Sequence, residues 1–157
     1  MSIDRLARYA AVVGLQLSVR AYPAGAPIRD AAHVRLIGRF RARISSGGWA
    51  WRAEAPVAGH GDQRAWHGQL TRSGLVVATE METRLRDIQA LQRRIELKRR
   101  DGVVDRMLLV VADTRANRDA IAAAADVLGA AYPVSARVAL AALAAGRDPG
   151  GDALIVL

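Results

Sequence analysis

The run "MLLVVA", residues 107–112, most constrains what this chain can fold into. Six consecutive apolar residues cannot alternate between core and solvent, so a strand here must be covered on both faces. "DALIVL", at residues 152–157, is a second buried strand of the same kind. Between them the pattern predicts a helix from about Arg118 to Ala131, ended by Pro133. A further helix is capped by Ser135 and closed by Gly146. Strands separated by helices call for parallel neighbours with helices on both sides of the sheet.

The first half reads differently. Ile3, Leu6, Tyr9 or Ala10, and Val13 fall at helical spacing. Leu15, Leu17 and Val19 then alternate with Gln16, Ser18 and Arg20, predicting a strand with one buried face. After the turn "PAGAP", Asp30 is placed to cap a helix with Val34, Ile37, Phe40 or Arg41, and Ile44 on one stripe. Arg35, Arg39 and Arg43 fall on its other side. "SSGG" breaks that helix. Three strands are expected next: "WAWRAEAPV", then "RAWHGQL" and "GLVVATEME" joined by the turn "TRSG". Residues 84–100 are predicted as a helix with Leu85, Ile88, Leu91 and Ile95 inward. The whole predicts one α/β domain over residues 1–157, a mixed sheet flanked by helices.

Charge narrows the partners. The chain has 157 residues, 23 of them basic and 15 acidic, for a formal net charge of +8. All but one of the basic residues are arginine, Lys98 being the exception. Such a balance favours a polyanion, nucleic acid first. With no cysteine, disulfides and thiolate metal sites are excluded. No apolar run approaches the ~20 residues of a membrane span, and the N-terminal residues lack a secretory pattern, which fits the cytoplasm.

The chemistry concentrates in "ATEMETRLRDIQALQRR", residues 78–94. Strand parity points Glu80 and Glu82 the same way, ~7 Å apart. Two like charges so placed need a cation between them or water around them. Magnesium or manganese would serve, as would arginines from the next helix. Glu54, Asp62 and His67 precede the pair as further polar candidates. Arg84, Arg86, Arg93, Arg94, Lys98, Arg99 and Arg100 follow it, against Asp87 and Glu96. Carboxylates that hold a metal beside arginines that hold a backbone would suit phosphodiester cleavage. Trp49, Trp51 and Trp66 suit core packing better than base stacking. "ADTRAN", after the buried strand, stands where α/β folds place ligand loops.

The order of "RAWHGQL", "VVATEMET", "RLRDIQALQRRIELKRRDG" and "VDRMLLVVADT" resembles the PD-(D/E)XK, restriction-endonuclease-like nucleases. More closely, it is similar to a nuclease-like domain that follows XRE-type helix-turn-helix regulators in high-G+C bacteria. The resemblance spans nearly the whole chain. It implies a restriction-endonuclease-like sheet and a metal site at Glu80, Glu82 and Asp62, using Mg or Mn if active. It implies DNA as the partner, no membrane, and leaves a homodimer open. His67 stands where that superfamily carries a motif Asp, and Glu82 where it carries lysine. Some branches move the basic or amide group to the next helix, where Gln89 and Arg93, one turn apart, are the matching positions. Arg84, Arg86, Arg93, Arg94 and Lys98 would contact nucleic acid. Two functions follow: a metal-dependent nuclease using Glu80, Glu82, Gln89, Asp62 and His67, or a non-catalytic binding domain of a transcriptional regulator. The histidine favours the second.

Overall fold

The computed structural model describes residues 3–12, 27–57 and 64–157. The predicted strand at 15–20 and Asp62 lie outside the described residues. The chain forms two compact units, residues 1–30 and 31–157. In the first, helix α1 spans Ile3–Val12. Its exposed Arg5 donates from Nε to the Tyr9 hydroxyl at 3.3 Å.

Helix α2, Pro27–Arg43, begins three residues before Asp30, which therefore lies within the helix rather than capping it. Proline at the first helical position gives up no intrahelical bond. The buried stripe of α2 is Leu36 and Phe40, continued by Ile44 just past its end. Val34, expected inside, is 66% exposed, because that stripe is centred away from it. Arg35, Arg39 and Arg43 are exposed, as expected.

Five strands follow a single 3-10 turn at Ser45–Gly47: β1 Ala50–Pro56, β2 Ala65–Arg72, β3 Leu75–Glu82, β4 Arg106–Val111 and β5 Ala153–Val156. They lie in chain order in one mixed sheet. The first three form the expected antiparallel meander, and β4 and β5 join in parallel. The β2–β3 turn is Ser73–Gly74, with φ of 48° and 84°, the paired positive values of a tight hairpin.

Helices cover both faces. Helix α6, Ala136–Ala144, shares the α2 side, where Leu36, Phe40, Ile44, Val77, Met81, Leu108, Val110 and Leu143 form one core. Helix α3, Ile88–Asp101, and α5, Ala125–Ala131, cover the other side. That second core holds Ala78, Leu91, Ile95, Met107, Leu109, Val111 and Leu128. Alternating residues of β3 and β4 thus feed two cores, which is why "MLLVVA" is apolar throughout.

Two predicted helices differ. The helix expected from residue 84 starts at Ile88, since the Asp87 side chain accepts from Ala90 N–H at 2.8 Å and caps it there. Arg84 and Arg86 are therefore loop residues. The helix expected over 118–131 divides into α4, Arg115–Ala123, and α5, and Thr114 caps α4. Ser135 caps α6 and Gly146 follows it with φ 67°, as expected.

Candidate functional site

The site begins with a fault in the meander. Trp51 and Leu70 pack on the α2 side, whereas Ala55 and Trp66 pack on the α3 side. Both pairs have the same strand parity, so strict alternation would put all four on one face. The reversal coincides with Glu54, whose φ is 47°, a costly value for a residue with a Cβ. Glu54 and His67 are the one pair missing from an otherwise continuous β1–β2 register. At the same level β2 parts from β3, their last paired residues being Gly68 and Thr79. His67 stands in that gap.

Its ring replaces the lost backbone partner. Met81 N–H donates to His67 Nδ1 at 2.9 Å. A nitrogen that accepts carries no proton, so the neutral ring is the form that fits. Burial acts in the same direction, and with His33 and Lys98 nearby it pushes the His67 pKa down to about 4. The His33 ring meets the His67 ring edge-on, with centroids 4.8 Å apart.

Glu80 lies directly behind. It is fully buried, and Lys98 Nζ donates to its Oε1 at 2.6 Å. The same ammonium donates to the Ala65 carbonyl at 2.7 Å and lies 5.4 Å from the centroid of the Trp66 ring. Lys98 is itself only 6% exposed. It continues the inward stripe of α3 through Leu91 and Ile95, at i, i+4 and i+7. The other carboxylate oxygen of Glu80 is buried, without a hydrogen-bond partner, 3.3 Å from His67 Nδ1. Burial raises the Glu80 pKa, and Lys98 opposes it.

Glu82, one residue pair further along β3, is paired with Arg94, whose Nη2 donates to its Oε1 at 2.5 Å. Burial raises its pKa also, against the pull of Arg94. Glu80 and Glu82 thus share a face, as parity requires, and each carboxylate meets one cation from α3. The two cations are Arg94 and Lys98, one helical turn apart. Gln89 and Arg93 have the same spacing but are exposed, on the side of α3 turned away from the inward stripe. Lys98, expected to reach nucleic acid, is enclosed instead. Two signals in the sequence pointed to it: it is the lone lysine, and it extends the stripe of Ile88, Leu91 and Ile95 by one turn.

Beyond Glu82 opens a cleft of about 250 Å³, bordered by Glu82, Arg84, Arg86, Asp87 and Arg94. Arg84 and Arg86 are exposed and have no ion pair among the described residues. Their loop is fastened from below by Asn117 of α4, which is wholly buried. Leu85 N–H donates to Asn117 Oδ1 at 2.8 Å, and Asn117 Nδ2 donates to the carbonyls of Thr83 at 3.1 Å and Ala112 at 2.8 Å. Asn117 belongs to "ADTRAN", so that segment steadies the arginine loop. Asp113 of the same segment pairs with Arg118.

The donor set can be tested against a divalent ion. Magnesium and manganese want several oxygen ligands, of which one or two are carboxylates. Here one Glu80 oxygen is spent on Lys98, one Glu82 oxygen on Arg94, and His67 Nδ1 on Met81 N–H. No group of three or more potential ligands converges among the described residues. The described side chains therefore do not fit such an ion as they stand. No helix among the described residues is long and apolar enough to cross a membrane.

No family model, curated protein or solved structure matches this chain.

Proposed function

We propose that the chain is a catalytically degenerate, restriction-endonuclease-like domain that binds nucleic acid, DNA first, in the service of a helix-turn-helix regulator. The observation that carries this reading is the internal neutralisation of Glu80 by Lys98 and of Glu82 by Arg94. Those two cations do the charge compensation that a metal would do in a working nuclease. His67, in the place of the motif Asp, accepts from the backbone and so has no lone pair at Nδ1 left for a metal. The basic balance and the exposed Arg84, Arg86 and Arg93 supply the phosphate contacts. The link to a regulator rests on the sequence resemblance alone.

A second reading keeps an active, Mg- or Mn-dependent phosphodiesterase using Glu80 and Glu82. The unpartnered oxygen of Glu80 beside Lys98 favours it, since a basic group on the following helix is how some branches complete the motif. Two assays separate the readings. Binding to a DNA duplex is measured across a salt series, and plasmid nicking is measured with Mn²⁺ or Mg²⁺. The degenerate reading expects a steep salt slope and no nicking. Nicking that disappears in Glu80→Gln supports the second reading. Affinity that hardly responds to salt removes phosphate contact from both.

A further inference from the structure

Several arginines outside the site are paired with acids: Arg64 with Asp101, Arg99 with Asp152, Arg106 with Asp148, and Arg118 with Asp113. Arg35, Arg39 and Arg43 of α2 are not. All three are exposed and have no ion pair among the described residues. They recur every four residues, so they rise in one row along the helix, about 6 Å apart at 1.5 Å per residue. Like charges at this spacing weaken a helix by a few tenths of a kcal/mol per pair. The end of the helix macrodipole offsets that for Arg43, in the last turn, but not for Arg35. A line of fixed positive charge without a counter-charge among the described residues is complementary to a line of phosphates, which recur about every 3.4 Å of helix axis on each DNA strand.

The position of this row matters more than its charge. The inward stripe of α2 packs on the core with Val77, Met81, Leu108 and Val110. The inward stripe of α3 packs on the core with Ala78, Met107, Leu109 and Val111. These are alternate residues of the same two strands, so the helices lie on opposite sides of the sheet. The α2 row and Arg93 of α3 are therefore carried by helices on opposite faces of the sheet.

We propose that the α2 row of Arg35, Arg39 and Arg43 is a second nucleic-acid-backbone surface, and that one molecule bridges two duplexes through its two faces. This rests on the nucleic-acid reading above. The test uses a biotinylated duplex on beads, loaded with protein, washed, and then offered a second, fluorescent duplex. Wild type retains the second duplex. The variant Arg35→Gln/Arg39→Gln/Arg43→Gln binds the first within about threefold of wild type and retains at least tenfold less of the second. The variant Arg84→Gln/Arg86→Gln/Arg93→Gln also loses the bridge, since a single molecule needs both faces. Retention of the second duplex by the α2 variant overturns the proposal, as does bridging by the Arg84/Arg86/Arg93 variant, which would mean a dimer presenting α2 twice. Wild type that binds the first duplex but not the second overturns bridging and leaves the binding reading intact. Wild type that binds neither overturns both.

Discussion

The two sides of the central sheet solve the same packing problem with different materials. Under α2 and α6 the core is apolar but for Thr79, with Phe40, Leu70, Met81 and Leu143 each at 1% exposure or less. Under α3 the core contains an ion pair, Glu80–Lys98, with 0% and 8% of the respective side chains exposed. Hydrophobic burial needs only rough shape and volume, whereas a buried charge pair needs a partner in place for each charge. The first side is therefore robust and buries no charge among the described residues. The second is conditional on protonation and geometry, and it is where the strained Glu54, the opened β2–β3 ladder and the inserted His67 all meet.

That contrast can be broken most forcefully at Lys98. Lys98→Met leaves Glu80 buried and unpaired, and should cost about 3–5 kcal/mol at pH 7. Phe40→Ala on the other side should cost a similar ~3–5 kcal/mol by opening a cavity. The two losses separate on acidification. As Glu80 takes up a proton the Lys98→Met penalty shrinks, while that of Phe40→Ala stays level. Denaturant midpoints at pH 7 and pH 5 read this directly. Parallel losses at both pH values would mean that Lys98 acts by packing alone.

His67 gives the next effect. Its pKa is about 4 when folded and 6.5 when unfolded, so between these values the unfolded chain binds more protons. Its contribution is then fully present above pH 6.5 and is lost as pH falls towards 4. A shift of that size is worth at most about 3 kcal/mol. Glu80 and Glu82, with raised pKa values, act in the opposite sense, gaining protons on folding as pH falls. The wild-type profile is therefore the difference of the two. His67→Asn keeps an oxygen able to accept from Met81 N–H and removes the titration, so it should decline less than wild type from pH 6.5 to 4. Identical slopes in urea titrations across that range would exclude His67 as the acid-sensitive group.

A smaller loss tests the apolar side. A Cβ on Gly68 would lie 1.9 Å from the Trp51 ring, which crosses β2 only because this residue is glycine. Gly68→Ala should cost about 1–3 kcal/mol by overpacking, with no dependence on pH. Smallest is Arg94→Gln. Arg94 is half exposed, its bond to Glu82 is screened by water, and thermal unfolding should register no more than about 1 kcal/mol. A larger loss there would make the pair part of the core.

Much of this architecture was legible in the sequence because it follows from periodicity. "MLLVVA" demanded two covered faces, and Glu80 and Glu82 fell together by parity. The turn "TRSG" contained the Ser73–Gly74 hairpin. What escaped has local physical causes. Nothing in "WRAEAPV" signals that Glu54 takes a positive φ, so the face reversal of β1 and β2 was invisible. Periodicity places Asp87 inside a helix, although its side chain caps one. The charge of Lys98 points to solvent, although its place on the apolar stripe turns it inward. Asn117 had no signal except its place after a buried strand, because its bonds reach back 32 and 34 residues to Leu85 and Thr83.

The central claim is that Lys98 and Arg94 occupy the electrostatic role of a metal at Glu80 and Glu82. Calorimetric titration of the protein with Mn²⁺ at pH 7 tests it most directly. The account predicts no saturable heat up to millimolar metal in wild type. A stoichiometric, saturable isotherm in wild type that Glu80→Gln abolishes would contradict it.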